Sequence, residues 1–380
     1  MSSDDGLRIR VLMLVDTIGP RTGGAERLAT GLAAALPHDR FEVTLCVTRR
    51  SEADAAESLA SRGVEVIDLK RSGRFDLLSF RPLVRFIRSR RPHVLHAHMF
   101  GSNVWGVTFG RTLRVPVVVA HEQTWSYRGK PFRRIADGLI GRLASAFVSV
   151  SRADRERMIR LERVPADKVH VIPNAYIPRD VEVGDLRREL GIPADAPVVG
   201  TVAVLRPQKN LGLLITAFSL LSASHPDARL VVAGDGPTRP ELESQVRERG
   251  LESRVHFLGA REDVPTILAG IDVAAMSSDY EGTPLFAVEC MAHRTPLVAT
   301  DVGGLPDLVE DGKSGVLVPP GDSGALTRAL DSMLSDPKRR AEIAEEAHRR
   351  SRELTIERTA ARFAALYERL LRGARRPTSG

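Results

Sequence analysis

Short runs of branched apolar residues alternate with longer stretches of helical periodicity along this chain, and the plan restarts once near its middle. That alternation is the pattern of βαβ units, in which a crossover helix carries each strand into a parallel sheet, so it confines the chain to the α/β class. The first half carries predicted strands at 8–15, 41–47, 64–69, 93–97, 116–120, 146–150 and 168–172. Between them, 24–36 places apolar residues at helical spacing and stops at Pro37, and 76–90 does the same before Arg91 and Pro92. A polar, proline-marked connection at about 173–183 reads as a hinge. Predicted strands then resume at 197–205, 229–233, 254–258, 271–276, 296–300 and 315–318. The last segment, 355–371, sets Ile356, Ala360, Phe363, Tyr367 and Leu370 on one face, an amphipathic helix that must dock. The expected division is 1–178, 179–354, and 355–380 as a final helix with a tail. A length of 380 residues, about twice the usual domain size, allows each half its own core.

Composition serves mainly to exclude. The two cysteines, Cys46 and Cys290, lie in apolar runs far apart, without metal-ligand or redox spacing, and read as buried structural thiols. The opening MSSDDGLRIR has no apolar stretch suited to a secretory signal, and no run reaches the roughly 18 apolar residues of a membrane span. A cytoplasmic protein is expected. The net charge of +7 is unevenly divided: residues 1–178 hold 29 Lys and Arg against 18 Asp and Glu, and residues 179–380 hold 26 against 30. A basic first half suits nucleic acid, an anionic membrane surface or an acidic substrate, or is simply a solvated face. No motif for reading nucleic acid accompanies it.

In open parallel sheets, ligands gather at the carboxyl ends of the strands, so the segments just after strands are the candidates. Gly23 and Gly24 precede a helix, where bare N–H groups could receive a phosphate; a tight turn explains them equally. Arg206, Lys209 and Asn210 follow a strand and open a helix, two cations suited to a diphosphate. The turn at Gly234–Pro237 is explained by turn chemistry, and Leu258 and Gly259 end a strand that could offer backbone groups to a base edge. Glu281 stands before a helix expected to begin near Pro284, with Glu289 about two turns inside it. Eight helical residues separate two groups by ~12 Å along the axis, too far for a paired acid and base but suited to gripping two parts of one extended ligand. The N–H groups of Thr283, Leu285 and Phe286 would then face phosphate. His96, His98 and His121 stand where strands deliver side chains to a cleft edge. No histidine spacing or acidic cluster reads as a metal site.

Taken in order, GGAE at 23–26, HAH at 96–98, HE at 121–122, VSVS at 148–151, VIPNA ending at Ala175, LRPQKN at 205–210, GDGP at 234–237, FLG at 257–259 and EGTPLFAVE at 281–289 resemble glycosyltransferase family 4. These are retaining enzymes of GT-B fold, two Rossmann-like α/β/α domains with parallel sheets facing across a cleft. The resemblance implies a nucleotide-diphosphate-sugar donor held mainly by the second domain, with no cofactor and no metal required. In that picture Glu289 holds the ribose, Leu258 the base through its backbone, and Lys209 the diphosphate. Glu281, with the segment Thr283, Pro284, Leu285 and Phe286, holds the transferred sugar, while Gly23 and Gly24 close over the phosphate and His121 stands beside the sugar. The family's phosphate-binding arginine is absent at Val204; Arg206, two residues on, would point to the same side if the strand continues. An epimerase of similar fold and a non-catalytic nucleotide-sugar sensor are the rival readings. The acceptor side offers arginines at 71, 74, 81, 85, 88, 90 and 91 and the run YRGKPFRR at 127–134, which could meet anionic lipid at the inner face of a membrane or a phosphorylated acceptor, or form a solvated basic face.

Overall fold

The computed structural model describes residues 8–19, 23–73, 76–123 and 131–375. Arg74 and residues 127–130 of the basic run lie outside the described residues. The chain forms two compact units, Met1–Ile177 with Thr355–Gly380, and Pro178–Leu354.

Unit 1 runs β1 (Ile9–Ile18), α1 (Gly24–Ala35), β2 (Phe41–Ser51), α2 (Ala53–Ser61), β3 (Glu65–Asp68), α3 (Arg81–Arg90), β4 (Val94–His98), α4 (Met99–Thr112), β5 (Val117–Glu122), α5 (Pro131–Leu143), β6 (Ala146–Ser149), α6 (Arg152–Arg160) and β7 (Val169–Val171). Its parallel sheet has the order β3-β2-β1-β4-β5-β6-β7, so the winding reverses between β1 and β4. The two-residue period of β1 builds both cores: Val11, Met13 and Val15 face one layer and Leu12 and Leu14 the other. On the first face lie Leu28 and Leu32 of α1; on the second, Leu83 and Ile87 of α3, Val107 of α4 and Ile140 of α5. Helix α3 starts at Arg81 with Pro82 in its first turn, five residues later than the apolar periodicity places it, after a 3-10 turn at Leu78–Phe80.

Unit 2 runs α7 (Leu186–Glu189), β8 (Val198–Val202), α8 (Leu211–Leu221), β9 (Arg229–Ala233), α9 (Arg239–Glu248), β10 (Val255–Gly259), α10 (Val264–Gly270), β11 (Val273–Met276), α11 (Leu285–Ala292), β12 (Leu297–Thr300), α12 (Leu305–Leu308), β13 (Val316–Val318), α13 (Ser323–Ser335) and α14 (Pro337–Ser351). The sheet order β10-β9-β8-β11-β12-β13 reverses between β8 and β11.

The final helix, α15 (Ile356–Arg375), belongs to unit 1. Ile356, Ala360, Phe363 and Tyr367 are all buried against α1 and the sheet, as their spacing requires. Burial of each large side chain stabilises by roughly 1.5–3 kcal/mol. The Tyr367 hydroxyl, which burial would otherwise strand, lies 2.7 Å from His96 Nδ1.

Candidate functional site

The reversal between β8 and β11 opens a crevice outside their carboxyl ends in unit 2, the usual ligand position in such sheets. The segments that follow these two strands carry most of the expected donor residues. Lys209 Nζ donates to Glu281 Oε1 at 2.6 Å, and Ser278 Oγ donates to the same oxygen at 2.6 Å. Around this pair the two segments are laced together. Ser277 Oγ reaches the carbonyls of Lys209 and Asn210, Asp279 N donates to the Gln208 carbonyl at 2.9 Å, and Asn210 Nδ2 donates to Asp279 Oδ1 at 2.8 Å. Asn210 takes a left-handed backbone conformation, φ 44° and ψ 45°, which turns the chain from Lys209 into α8.

Behind Glu281 the backbone approach is closer than any side chain allows. Gly303 has φ +56°, and a Cβ there would lie 1.8 Å from the Glu281 carbonyl oxygen. Only glycine fits, so the Gly303–Gly304 pair after β12 seats the Glu281 segment. The pair stands where ligand loops are sought, yet its only signal in the sequence is two adjacent glycines.

Helix α11 starts at Leu285, with Pro284 as its extended N-cap at φ −69° and ψ 126°. Glu281 therefore lies in the loop, and Glu289 is just over one turn inside the helix rather than two. The ~12 Å axial separation does not apply, because it assumes that both residues are helical. The first-turn amides of Leu285 and Phe286 have no partner within the helix, as at any helix start. Glu289 is buried and accepts at Oε1 from Arg179 Nε at 3.1 Å and Nη2 at 3.0 Å. Arg179 Nη1 also donates to the Glu262 carbonyl at 2.9 Å. Arg179, in the proline-marked connection, went unrecognised in the sequence because nothing local pairs it with a residue 110 positions on.

Two other expected donor residues depart from expectation in geometry. Strand β8 ends at Val202, so the alternation that would bring Arg206 to the side of Val204 is lost. Leu205 is instead buried, held by its amide to the Asp235 carbonyl at 2.9 Å, and Arg206 is exposed at the start of a 3-10 turn. At Leu258 the β9–β10 register slips: Phe257 pairs with Val232 and Gly259 with Ala233, which leaves Leu258 out of the ladder. Such a bulge turns backbone groups toward whatever lies beyond the sheet edge.

In unit 1, Gly23 caps α1 and Gly24 opens it, both exposed, while Pro20 to Thr22 before them lie outside the described residues. The Glu26 carboxylate lies close to Gly23, 3.0 Å from where a Cβ would stand. The histidines are not edge side chains. His96, His98 and His121 are at most 1% exposed and lie on one face of the sheet near the carboxyl ends of β4 and β5, with ring centroids 4.1–5.4 Å apart. Burial pushes all three far below the usual imidazole range, His98 to about 3, so all are neutral near pH 7. Their ring nitrogens lie within 4.8 Å of one another, a grouping open to a cation that sequence spacing did not reveal. His121 is fixed through its backbone: Asn103 of α4 donates to its carbonyl and accepts from its amide, each at 3.1 Å. A neutral imidazole offers one donor and one acceptor and suits hydrogen bonding to a hydroxyl.

Elsewhere, Cys46 and Cys290 are buried free thiols. Among the described residues, no helix is long and apolar enough to cross a membrane. Of the basic residues, Arg81, Arg85, Arg88, Arg90, Arg91 and Arg134 are exposed, but Arg71 is only 6% exposed and does not belong to a solvated face.

The family described as "Glycosyltransferase Family 4" matches residues 22–178, and the one described as "Glycosyl transferases group 1" matches residues 183–350. Among curated relatives, an alpha-D-kanosaminyltransferase of Streptomyces kanamyceticus is 32% identical over 276 residues, covering 67% of this chain and 71% of the relative. A D-inositol 3-phosphate glycosyltransferase of Corynebacterium kroppenstedtii is 32% identical over 306 residues, covering 73% and 67%. Among solved structures, Anabaena HepE in complex with UDP and glucose superposes with a TM-score of 0.81 at 25% identity, over 95% of this chain and 100% of that one.

Proposed function

Because this chain belongs to the group 1, family 4 glycosyltransferases of GT-B fold and draws on a nucleotide-sugar donor, we propose that it transfers the sugar with retention of configuration, from a donor held by unit 2 to an acceptor bound on unit 1. The observation that carries this reading is the contact of Lys209 with Glu281 beside the amino end of α11, at the carboxyl edge where the sheet order reverses. Lys209 stabilises the leaving diphosphate together with the α11 amides of Leu285 and Phe286, and Glu281 accepts hydrogen bonds from the sugar hydroxyls. Thr283 and Pro284 shape the turn between them. Glu289, oriented by Arg179, takes the ribose, and the bulged backbone at Leu258 meets the base. Arg206 remains a second cation for the diphosphate, reaching it from the 3-10 turn rather than from a strand.

Charge fixed before the reaction begins is the main catalytic term, because the developing diphosphate charge then needs no reorganisation. Glu281 is already shared between Lys209 and Ser278 and is not cast as a nucleophile. The acceptor attacks from the face the diphosphate leaves, and the diphosphate takes its proton. From unit 1, the exposed Gly23 and Gly24 meet the phosphate, while the His121 ring is enclosed and does not reach the sugar in this conformation. No cofactor enters this scheme. Relatives named as transferases weigh against an epimerase or a sensor.

Association with an anionic membrane at its inner face belongs to the same proposal. Phe132, Ile135, Leu139 and Leu143 of α5 form one exposed apolar stripe, 47–78% exposed, flanked by Arg134 and Arg142.

The test is a panel of nucleotide-sugar donors incubated with the protein, scored for free nucleoside diphosphate. Glu281→Gln should lower turnover at least ~100-fold while leaving nucleotide binding intact. Unchanged turnover in that variant removes the central assignment.

A further inference from the structure

Among the described residues of unit 1, Arg71 is a buried cation that forms no ion pair, although the carboxylates of Asp16 and Asp76 lie near enough to favour its charged form. Arg71 follows β3 at the carboxyl edge of the sheet, its backbone amide tied to the Thr48 carbonyl at 3.1 Å. Neither Nε nor Nη1 of its guanidinium has a hydrogen-bond partner, and no carboxylate forms an ion pair with it among the described residues. The nearby acids are engaged elsewhere. Asp16 Oδ1 accepts from Thr48 Oγ1 at 2.8 Å and Ser102 Oγ at 3.0 Å, while Asp76 accepts from Ser72 and Ser79. Arg49, which adds a second positive charge near Arg71, lies 3.9 Å from Asp16.

A buried guanidinium with idle donors is costly, and a protein keeps one where a ligand supplies the acceptors. We propose that Arg71 is the anion anchor of the acceptor site in unit 1 and that the group it holds is the phosphoryl of the acceptor. The inference rests on the reading of unit 1 as the acceptor side and narrows the acceptor to a phosphorylated one. The planar fork suits two phosphoryl oxygens at once, and Arg49 adds a second positive charge that offsets part of the negative charge of Asp16 and Asp76. The guanidinium is held over the rings of Phe80 and Trp105, 5.1 and 5.8 Å from their centroids. The same two rings line a groove of about 760 Å³ that continues past Phe109 and is rimmed by Arg81, Arg85 and Arg88. A soluble phosphate uses the anchor alone. Arg71 does not itself line the groove, so a lipid phosphate uses the anchor and passes its chain by the two rings into the groove.

The experiment follows thermal melting of the full chain with saturating UDP, which fills the donor's own phosphate site. Inorganic phosphate, inositol 1-phosphate and dihexanoyl phosphatidic acid are titrated against chloride at matched ionic strength. Wild type should melt higher with each phosphate probe, Arg71→Lys should bind them more weakly, and Arg71→Gln should lose about 10–100-fold in affinity. The ligand-free melt of each variant reports folding, and UDP binding measured separately tests the donor reading, so failure of either is distinct from failure here. Tighter binding of the acyl-bearing probe, abolished by Phe109→Ser, assigns a lipid phosphate; equal affinity for both organic probes assigns a soluble one. No stabilisation of wild type, or equal stabilisation of wild type and Arg71→Gln, overturns the proposal.

Discussion

Replacing Gly303 by alanine separates backbone strain from displacement of Glu281. The residue has φ +56°, where an L side chain costs about 1–2 kcal/mol. Its Cβ would also stand 1.8 Å from the Glu281 carbonyl oxygen, and opening that gap to 3.0 Å, the shortest distance real Cβ atoms tolerate, moves the Glu281 segment by about 1.2 Å. The obstacle is backbone, so no side-chain rotation relieves it. Glu281 shares Oε1 between Lys209 and Ser278 at 2.6 Å each, and a shift of that size along either contact stretches it to about 3.8 Å, beyond hydrogen-bonding range. A misplacement of about 1 Å in a positioned group costs about 100-fold in rate. Gly191→Ala is the control, since it has φ +62° with nothing within 4 Å of its Cβ. Both variants should lose similar stability from strain in thermal melts, with Gly303→Ala losing more. Only Gly303→Ala should lose turnover, by about 100-fold, in the assay of nucleoside diphosphate release. Equal turnover in the two variants would refute the claim that Gly303 seats the catalytic carboxylate.

Two further outcomes are expected. Burial and the Glu122 charge push the Glu162 carboxyl up to about 8, despite its contact with Arg157, and burial pushes Asp137 up to about 6. Their folded values lie above the unfolded ones, so the stability they favour is present below about pH 4 and is lost as pH rises through 6 and then 8. The melting temperature should fall over that window by roughly 2–4 °C for each kcal/mol lost, and Glu162→Gln should flatten the upper part; a profile identical to wild type would refute the assignment. In liposome flotation, the protein should float with anionic but not neutral vesicles, and Leu139→Ser combined with Ile135→Ser should reduce flotation several-fold; flotation indifferent to lipid charge or to the stripe would remove the membrane reading.

Local periodicity made the strands legible because a strand buried on both faces must be apolar throughout, a property of consecutive residues. It failed at strand ends, where hydrogen-bonded neighbours decide how far pairing continues. The apolar run at 197–205 reads as one strand, yet pairing stops at Val202, and Leu205 is buried in the core of unit 2 with its amide held by the Gly234–Pro237 turn rather than by the ladder. Ala203 and Leu205 carbonyls lie against Gly234 and Gly236, contacts no local pattern encodes. The assignment of Arg206 to one side of a strand failed for that reason.

What could be known from residue order alone was whatever depends on near neighbours: the α/β class, the two-part plan, the amphipathic face of α15, and the placing of Lys209 and Glu281 just after strands. The partners of those residues depend on folding, because they come from distant parts of the chain. Ser278 lies three residues from Glu281, but Lys209 lies 72 away and Arg179 is 110 from Glu289. Burial is likewise a property of assembled layers. The histidine triplet and Arg71 carry polar side chains that sequence alone assigns to an edge or a surface, and packing of the helices over the sheet encloses them instead.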